Sequence, residues 1–247
     1  MVSFWRSVNR VIQNSDVIIE VLDSRLIEDT RNKEIEQKIK KFGKKILYVI
    51  NKCDLVNIKE IEKVIKEQGL QPSVFISSTE KLGTTILKKK IMELSRGEKV
   101  VVGVVGYPNV GKSSLINALS GRSAARTSSS SGFTHGIQKV RVGDKIILLD
   151  TPGVFPEREK NEEKHAYMGA IDYGKLKNPE MDALRLIKEH PQEICEYYNI
   201  EGEEDPEEIL ELIGIKSNKL LSKGRVNEDA VARMILKDWQ TGKIRKK

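Results

Sequence analysis

The order of three short polar segments constrains this chain of 247 residues more than any other feature of its sequence. The segments are, in chain order, Asn51-Lys52-Cys53-Asp54, residues 106–113 and residues 150–153. Each follows a short apolar run that we interpret as a buried β-strand. Because strand and helix signals alternate over roughly the first 160 residues, we predict an α/β fold, with a mostly parallel sheet flanked by helices.

Residues 106–113 read Gly-Tyr-Pro-Asn-Val-Gly-Lys-Ser between a predicted strand and a predicted helix, the context that a phosphate-binding loop requires. Gly106 and Gly111 permit tight turns, so that backbone N–H groups and the helix N-terminus can face phosphate oxygens. We expect Lys112 to reach the β- and γ-phosphates and to act in catalysis, and Ser113 to ligate Mg²⁺. A glycine-rich turn without a ligand is the alternative, which the strand context disfavours. The loop residues that we also assign to nucleotide binding are Asn109, Val110, Gly111 and Ser114.

The first segment predicts recognition of guanine. A carboxylate at Asp54 can accept hydrogen bonds from the N1–H and the exocyclic amine of guanine together, whereas adenine offers no such pair of donors. We expect Asn51 to brace the loops around the base and the stem of Lys52 to cover its face. Ser77 and Ser78 follow the next predicted strand, and we assign both to nucleotide binding, with the Ser78 N–H donating to guanine O6. The alternative, a polar loop after a strand, is disfavoured because both segments lie at strand ends.

The third segment predicts a sensor of the γ-phosphate. Asp150 follows an apolar run, and we expect it to hold Mg²⁺ through water while the Gly153 N–H contacts the γ-phosphate. The next residue is Val154, where Ras-like enzymes place a glutamine that orients the attacking water. A valine cannot orient water, so we expect slow intrinsic hydrolysis.

A serine-rich stretch over residues 121–136 lacks a packing pattern, and we interpret it as a mobile loop. We assign Thr134 in this loop as a catalytic residue whose hydroxyl ligates Mg²⁺, with Thr127 and the neighbouring serines as alternatives. His135 is either a base or an exposed loop histidine, and we favour the second interpretation.

The segment order is itself a prediction about topology. In an ordinary small GTPase the phosphate loop opens the domain and the base-reading segment comes last, whereas here the base-reading half comes first. We therefore predict a circularly permuted GTPase domain over residues 1–163, with the old chain ends joined through residues 95–98. Strand signals then vanish, and we predict a small all-α domain over residues 164–247. Its helix-start signals are Pro179, Pro191 and Pro206, with Asn178 and Asp205 as caps.

The charge is unevenly distributed. The net charge is +7, and 29 basic against 20 acidic residues give residues 1–171 a charge of +9, while 14 against 16 leave the rest at −2. A basic nucleotide-binding domain favours a polyanionic partner such as RNA, and a solvated lysine-rich surface is the alternative.

We find no run of about 18 apolar residues and no signal-peptide core. With only Cys53 and Cys195, a disulfide framework is excluded, and we expect a cytoplasmic protein.

Together these motifs resemble those of the circularly permuted GTPases of the YlqF/YawG family, which act in ribosome assembly. Asp23-Ser24-Arg25 followed by Arg31-Asn32 is similar to the opening Asp-Ala-Arg segment of that family. Gly224-Arg225, Asp238-Trp239 and Gly242-Lys243-Ile244 resemble its C-terminal end. Two features depart from the family pattern. We find no histidine near the N-terminus, and Phe133 replaces the threonine that often precedes the Mg²⁺ threonine.

The resemblance implies GTP and GDP binding, docking on rRNA in the large ribosomal subunit or its precursor, and two aids to hydrolysis: K⁺ held near Asn109 and a partner that orders the switches. We expect a monomer that does not contact membranes. A low-turnover, GTP-dependent switch that binds RNA or protein outside ribosome assembly remains the alternative function, since Val154 is also compatible with it.

Overall fold

The computed structural model describes residues 2–121, 137–156, 165, 168–201 and 205–245. The chain divides into two compact units, Met1–Lys160 and Asn161–Lys247. Within the described ranges, no helix combines the length and the apolar character needed to span a bilayer.

The first unit contains a six-stranded sheet in the order β3-β2-β1-β4-β6-β5. Its strands are β1 (Val17–Asp23), β2 (Lys45–Asn51), β3 (Ser73–Phe75), β4 (Val100–Val105), β5 (Gln138–Val142) and β6 (Ile146–Asp150). Neighbouring strands are parallel except in the β5–β6 hairpin. The predicted α/β architecture with a mostly parallel sheet is therefore confirmed.

The position of β1 explains how the permuted order still yields one site. This strand pairs with β2 on one side and with β4 on the other. The base-reading segment follows β2 and the phosphate loop follows β4, so the two lie one strand apart although they belong to opposite halves of the domain sequence. Parallel strands bring their carboxyl ends to the same edge of a sheet, which is where α/β folds bind ligands.

Six described helices accompany this sheet: α1 (Val2–Gln13), α2 (Ile27–Thr30), α3 (Lys33–Lys41), α4 (Ile58–Glu67), α5 (Thr84–Leu94) and α6 (Lys112–Ser120). Asparagine side chains cap two of them. Asn32 accepts a hydrogen bond from the Ile35 N–H at the start of α3, and Asn57 accepts one from the Lys59 N–H at the start of α4. These caps satisfy N–H groups that have no partner inside the helix.

Apolar side chains of the strands fill the core. In β1 every residue is buried, as expected for a central parallel strand covered on both faces. One cluster of the core includes Trp5 and Val8 from α1, Ile35 from α3 and Val154. A large apolar side chain buried in this way contributes about 1.5–3 kcal/mol.

The second unit is helical in its described part, with α7 (Pro179–Glu189), α8 (Pro191–Tyr198), α9 (Pro206–Lys216) and α10 (Glu228–Gln240). The first three helices each begin at the predicted proline. Asp205 caps α9 by accepting hydrogen bonds from Glu207 and Glu208 N–H. Asn178 occupies the predicted cap position of α7, but its side chain makes no capping hydrogen bond, so the prediction of a side-chain cap there is wrong.

The C-terminal segment Asp238-Trp239 has a structural role in this unit. Buried Asp238 accepts hydrogen bonds from the Tyr198 hydroxyl (2.9 Å) and from Lys243 Nζ (2.8 Å). Trp239 is buried and stacks on His190, with ring centroids 4.5 Å apart. These contacts tie α10 to α8 and to the residues that follow α10.

Candidate nucleotide-binding site

The phosphate loop connects β4 to α6 through two glycines in conformations that other residues rarely adopt. Gly106 has φ +144°, and a Cβ there would lie 2.6 Å from the Val21 carbonyl oxygen of β1. Gly111 has φ +97°, and a Cβ there would collide with the side-chain amide of Asn51. The loop is therefore packed too closely on its neighbours to accept side chains at these positions.

Lys112 is buried at the start of α6, where its ammonium group donates to the carbonyls of Gly106 (3.1 Å) and Tyr107 (2.5 Å). Burial lowers the pKa of Lys112 to about 8, and the nearby Asp150 carboxylate only partly opposes that effect. An anion bound in the loop would stabilise the charged ammonium, because opposite charge favours the ionised form.

Ser113 and Asp150 meet at the ends of α6 and β6. The Ser113 hydroxyl donates to Asp150 Oδ2 at 3.1 Å, while the buried Asp150 Oδ1 has no hydrogen-bond partner among the described residues. Burial raises the pKa of Asp150, against the opposing effects of Lys112 and the Ser113 hydrogen bond. A hydroxyl and a carboxylate are oxygen ligands of the kind that Mg²⁺ prefers, so these residues fit that ion.

Gly153 lies against the phosphate loop. A Cβ there would lie 2.6 Å from the backbone of Pro108 and 3.0 Å from Lys112 Nζ, which leaves room for glycine alone. The next side chain, Val154, is buried in the α1 cluster of the core, and its N–H donates to the Gly106 carbonyl at 3.4 Å. The residue at the position of the water-orienting glutamine is thus a core residue.

Asn51 joins three loops from the end of β2. Its Nδ2 donates to the Val110 carbonyl of the phosphate loop at 2.8 Å. Its Oδ1 accepts from the Ser78 hydroxyl at 2.8 Å and from the Ser78 N–H at 3.2 Å. The bracing expected of Asn51 is therefore present, whereas the assignment of the Ser78 N–H to guanine O6 stays a prediction, because that group already donates to Asn51. Ser77 is buried beside Ser78 and its hydroxyl contacts Thr79 at 3.1 Å.

Asp54 lies in a short 3₁₀ helix, Cys53–Leu55, directly after the Asn51-Lys52 dipeptide. Its Oδ1 is buried and, within the described residues, has no hydrogen-bond partner. A buried acceptor without a partner costs about 1–3 kcal/mol, so such an atom needs an explanation. Guanine supplies the paired donors that a carboxylate accepts, and the site therefore fits guanine on chemical grounds.

The end of β1 contributes residues that sequence reasoning did not place in the site. Asp23 pairs in register with Asn51, and its Oδ2 lies 2.7 Å from Lys52 Nζ. Burial alone would raise the pKa of Asp23, but ion pairs with Arg25 and Lys52 hold it well below its usual range. The signal available in the sequence was the position of Asp23 at a strand end, like Asn51 and Asp150.

The remaining assigned residues are placed as follows. Asn109 has φ +60° at the turn of the phosphate loop, Val110 is buried, and Ser114 lies in the first turn of α6. Thr134, Thr127 and His135 lie outside the described residues, so the Mg²⁺ threonine stays a prediction. A K⁺ site near Asn109 likewise stays a prediction.

Two family models match the chain. The model of the RsgA GTPase matches residues 10–156, and the model described as 50S ribosome-binding GTPase matches residues 101–213. The first covers more than half of the chain and includes all three polar segments.

Curated relatives extend the similarity. The chain is 43% identical to an uncharacterized GTP-binding protein of Methanocaldococcus jannaschii over 96% of this chain and 65% of that protein. It is 33% identical to nucleolar GTP-binding protein 2 of Pneumocystis carinii over 97% of this chain and 52% of that protein. The chain therefore spans about half to two thirds of the length of these relatives.

Solved structures share the fold. GNP-bound YlqF from T. maritima superposes with a TM-score of 0.67 at 20% identity, over 98% of this chain and 95% of that one. The GDP-bound form of YlqF gives a TM-score of 0.65 at 19% identity, over 97% and 96%. The protein belongs to the RsgA GTPase family and shares the circularly permuted fold of YlqF.

Proposed function

We propose that this protein binds GTP and GDP with Mg²⁺, hydrolyses GTP slowly, and docks on rRNA of the large ribosomal subunit or its precursor according to the bound nucleotide. The observation that carries the proposal is a pair of buried carboxylate oxygens, Asp54 Oδ1 and Asp150 Oδ1, without hydrogen-bond partners in the described part of the chain. Asp54 follows β2 and Asp150 ends β6, so the two residues lie on either side of β4, which leads into the phosphate loop. One fits the donors of guanine and the other fits Mg²⁺.

The base and the phosphates are bound by different halves of the GTP-binding domain in this proposal. Asp54 accepts from the guanine edge, and Asn51 holds the surrounding loops together. The N–H groups of the phosphate loop and the N-terminus of α6 face the phosphates, with Lys112 between the β- and γ-phosphates and the Gly153 N–H at the γ-phosphate. The close approach of Gly153 to Pro108 and Lys112 supports this arrangement.

Mg²⁺ supplies charge neutralisation at the β- and γ-phosphates when it is bound. The Ser113 hydroxyl and the Asp150 carboxylate would hold the ion. Their 3.1 Å contact supports this, as does Asp150 Oδ1, which has no hydrogen-bond partner among the residues that the structure describes. Thr134 is proposed as a further ligand.

Hydrolysis is proposed to be slow without help. Lys112 stabilises the charge that develops on the transferred phosphoryl group. Val154 cannot orient water, because it is apolar and packed in the core. We propose that docking on the ribosome and K⁺ near Asn109 supply the missing stimulation.

We propose the large ribosomal subunit as the partner from the net charge of the chain and from its family similarity. Residues 1–171 carry +9, which favours RNA. One matching family model is described as a 50S ribosome-binding GTPase. We propose residues 1–163 as the GTP-binding domain and residues 164–247 as the helical domain whose docking follows the nucleotide; the division at Lys160/Asn161 supports this assignment. We also propose a cytoplasmic monomer.

The burial of Val154 also favours a second candidate function, a switch that binds GTP and scarcely turns it over. Single-turnover hydrolysis with and without large subunits separates the two. Subunit-stimulated, K⁺-dependent cleavage supports the first function, and binding without stimulated cleavage supports the second. Equal affinity for GTP and ATP in calorimetry would overturn the assignment of Asp54 and with it both candidates.

A further inference from the structure

Lys52 is held at both ends by residues of β1 and the turn that follows it. Its ammonium group lies 2.7 Å from Asp23 Oδ2. Its backbone carbonyl accepts a hydrogen bond of 2.8 Å from the Ser24 hydroxyl. Between these two contacts the backbone of Lys52 is left-handed, at φ 62° and ψ 32°, a conformation that a residue other than glycine adopts only when its surroundings impose it. We call Asp23 and Ser24 the Lys52 clamp.

The clamp is itself fixed. Arg25 donates to Asp23 from Nε (3.0 Å), from the second guanidinium nitrogen (2.8 Å) and from its backbone N–H (3.1 Å). The side chains of Asp23 and Arg25 are each only 1% exposed. The Ser24 N–H donates to the Asn51 carbonyl at 2.9 Å, which fastens the turn to the strand end that carries the base-reading segment. The carboxylate of Asp23 therefore has one orientation.

Because Asp23 holds the ammonium group, only the hydrocarbon stem of Lys52 is available to contact a ligand. Its charge is neutralised at β1, so Lys52 does not serve as a second phosphate-binding cation beside Lys112. What remains is an apolar four-carbon stem, with the side chain 22% exposed, one residue before the short helix that carries Asp54. A fixed hydrocarbon stem is suited to pack on the flat face of a purine, since no rotamer freedom is lost when the base binds.

We infer that Asp23 and Ser24 are positioning residues for guanine recognition, which act by holding the stem of Lys52 against the base face beside Asp54. The inference rests on the proposed binding of guanine nucleotides. It assigns a nucleotide-binding role to the Asp-Ser-Arg segment that begins at the last residue of β1.

The test compares a ligand that has a base with one that lacks it. Calorimetry with GDP and with Mg²⁺-tripolyphosphate is carried out on wild type, Asp23→Asn, Ser24→Ala and Lys52→Met. Asparagine at position 23 would place amide hydrogens against the cations of Arg25 and Lys52, and methionine at position 52 keeps a long apolar stem without the charge that anchors it.

We expect GDP affinity to fall about 10- to 100-fold in Asp23→Asn and about 3- to 10-fold in Ser24→Ala, because each loses a hydrogen bond to Lys52. Tripolyphosphate affinity should stay within about 2-fold, since the phosphate loop is unchanged.

A double-mutant cycle measures the coupling between Asp23 and Lys52 in GDP binding, which distinguishes a positioning role from a general structural one. If Asp23 acts through Lys52, Asp23→Asn should weaken GDP binding by less than about 2-fold in the Lys52→Met background. Asp23→Asn removes the ion pair with Arg25 in both backgrounds, so that loss does not contribute to the coupling energy of the cycle. Should Asp23→Asn fail to fold, the same cycle with Ser24→Ala gives the answer. Glu28→Gln is the matched control, because it removes an exposed ion pair with Lys33 (2.6 Å) and should leave GDP affinity unchanged.

The outcomes separate this inference from the proposed function. Parallel losses for GDP and tripolyphosphate, or additive effects in the cycle, would overturn the positioning role while leaving GTP binding intact. Wild-type protein that binds tripolyphosphate as tightly as GDP would overturn guanine recognition itself.

Discussion

Asn51 Nδ2 donates to the Val110 carbonyl across 2.8 Å, a hydrogen bond between residues 59 positions apart in the sequence. It links the end of the base-reading strand to the phosphate loop, two elements that the permuted order places in opposite halves of the domain. Asn51 is buried, and its Oδ1 holds Ser78 at the same time. A single side chain therefore sets the spacing between the part of the site that binds the base and the part that binds phosphate.

Asn51→Ala should weaken GDP binding by about 10-fold or more and lower the free energy of unfolding by about 1–3 kcal/mol, because Val110 and Ser78 lose buried partners. Calorimetry and urea denaturation measure the two effects. Asn57→Ala is the matched control. It removes an exposed cap on α4 and should cost about 0.5–2 kcal/mol of stability without a change in GDP affinity. Equal GDP affinity of wild type and Asn51→Ala would contradict the bridging role.

The local parts of this site could be predicted from the sequence, because an apolar strand followed at once by a polar motif needs no tertiary information. Residues 106–113 and Asp150 are of this kind. The contact of Asp23 with Lys52 could not be predicted, since it depends on β1 and β2 being neighbours in register. The burial of Val154 depends in the same way on α1 and α3, far away in the sequence.

Lys112 should make the stability of the nucleotide-free protein depend on pH. Burial lowers its pKa from 10.5 to about 8, so between these values the unfolded chain binds more protons than the folded one. Stability contributed by Lys112 therefore rises with pH across this window, and the charged ammonium is costly below it. Lys112→Met removes this cost, so the free energy of unfolding of the variant relative to wild type should drop by roughly 2–3 kcal/mol between pH 7 and pH 10. A difference that is constant with pH, in urea denaturation at both values, would show that Lys112 is not desolvated.

Introducing the glutamine of Ras-like enzymes at position 154 should not raise the rate of GTP hydrolysis. In Val154→Gln the amide would have to enter an apolar core cluster, so we expect a loss of about 1–3 kcal/mol of stability and no gain in GTP turnover. Val154→Ala controls for the loss of packing, since it opens the core without adding an amide. Multiple-turnover assays of phosphate release measure the effect, and turnover in Val154→Gln well above that of Val154→Ala would mean that the side chain reaches the site after all.

The dependence of ribosomal-subunit affinity on the bound nucleotide can be tested with a variant, Asp54→Asn, that no longer recognises guanine. In Asp54→Asn an amide donor replaces the buried acceptor, which suits the extra oxygen of xanthine and leaves guanine without a partner. Wild type should sediment with large ribosomal subunits about 5- to 150-fold more tightly with a GTP analogue than with GDP, the range expected for a coupling of about 1–3 kcal/mol. The Asp54→Asn variant should show the same difference between a xanthosine triphosphate analogue and xanthosine diphosphate, and none between the guanosine nucleotides. Binding of both proteins should weaken steeply with salt, because contacts to RNA phosphates release counterions. Equal sedimentation of wild type with the GTP analogue and with GDP would rule out the switch, whatever the affinity for RNA.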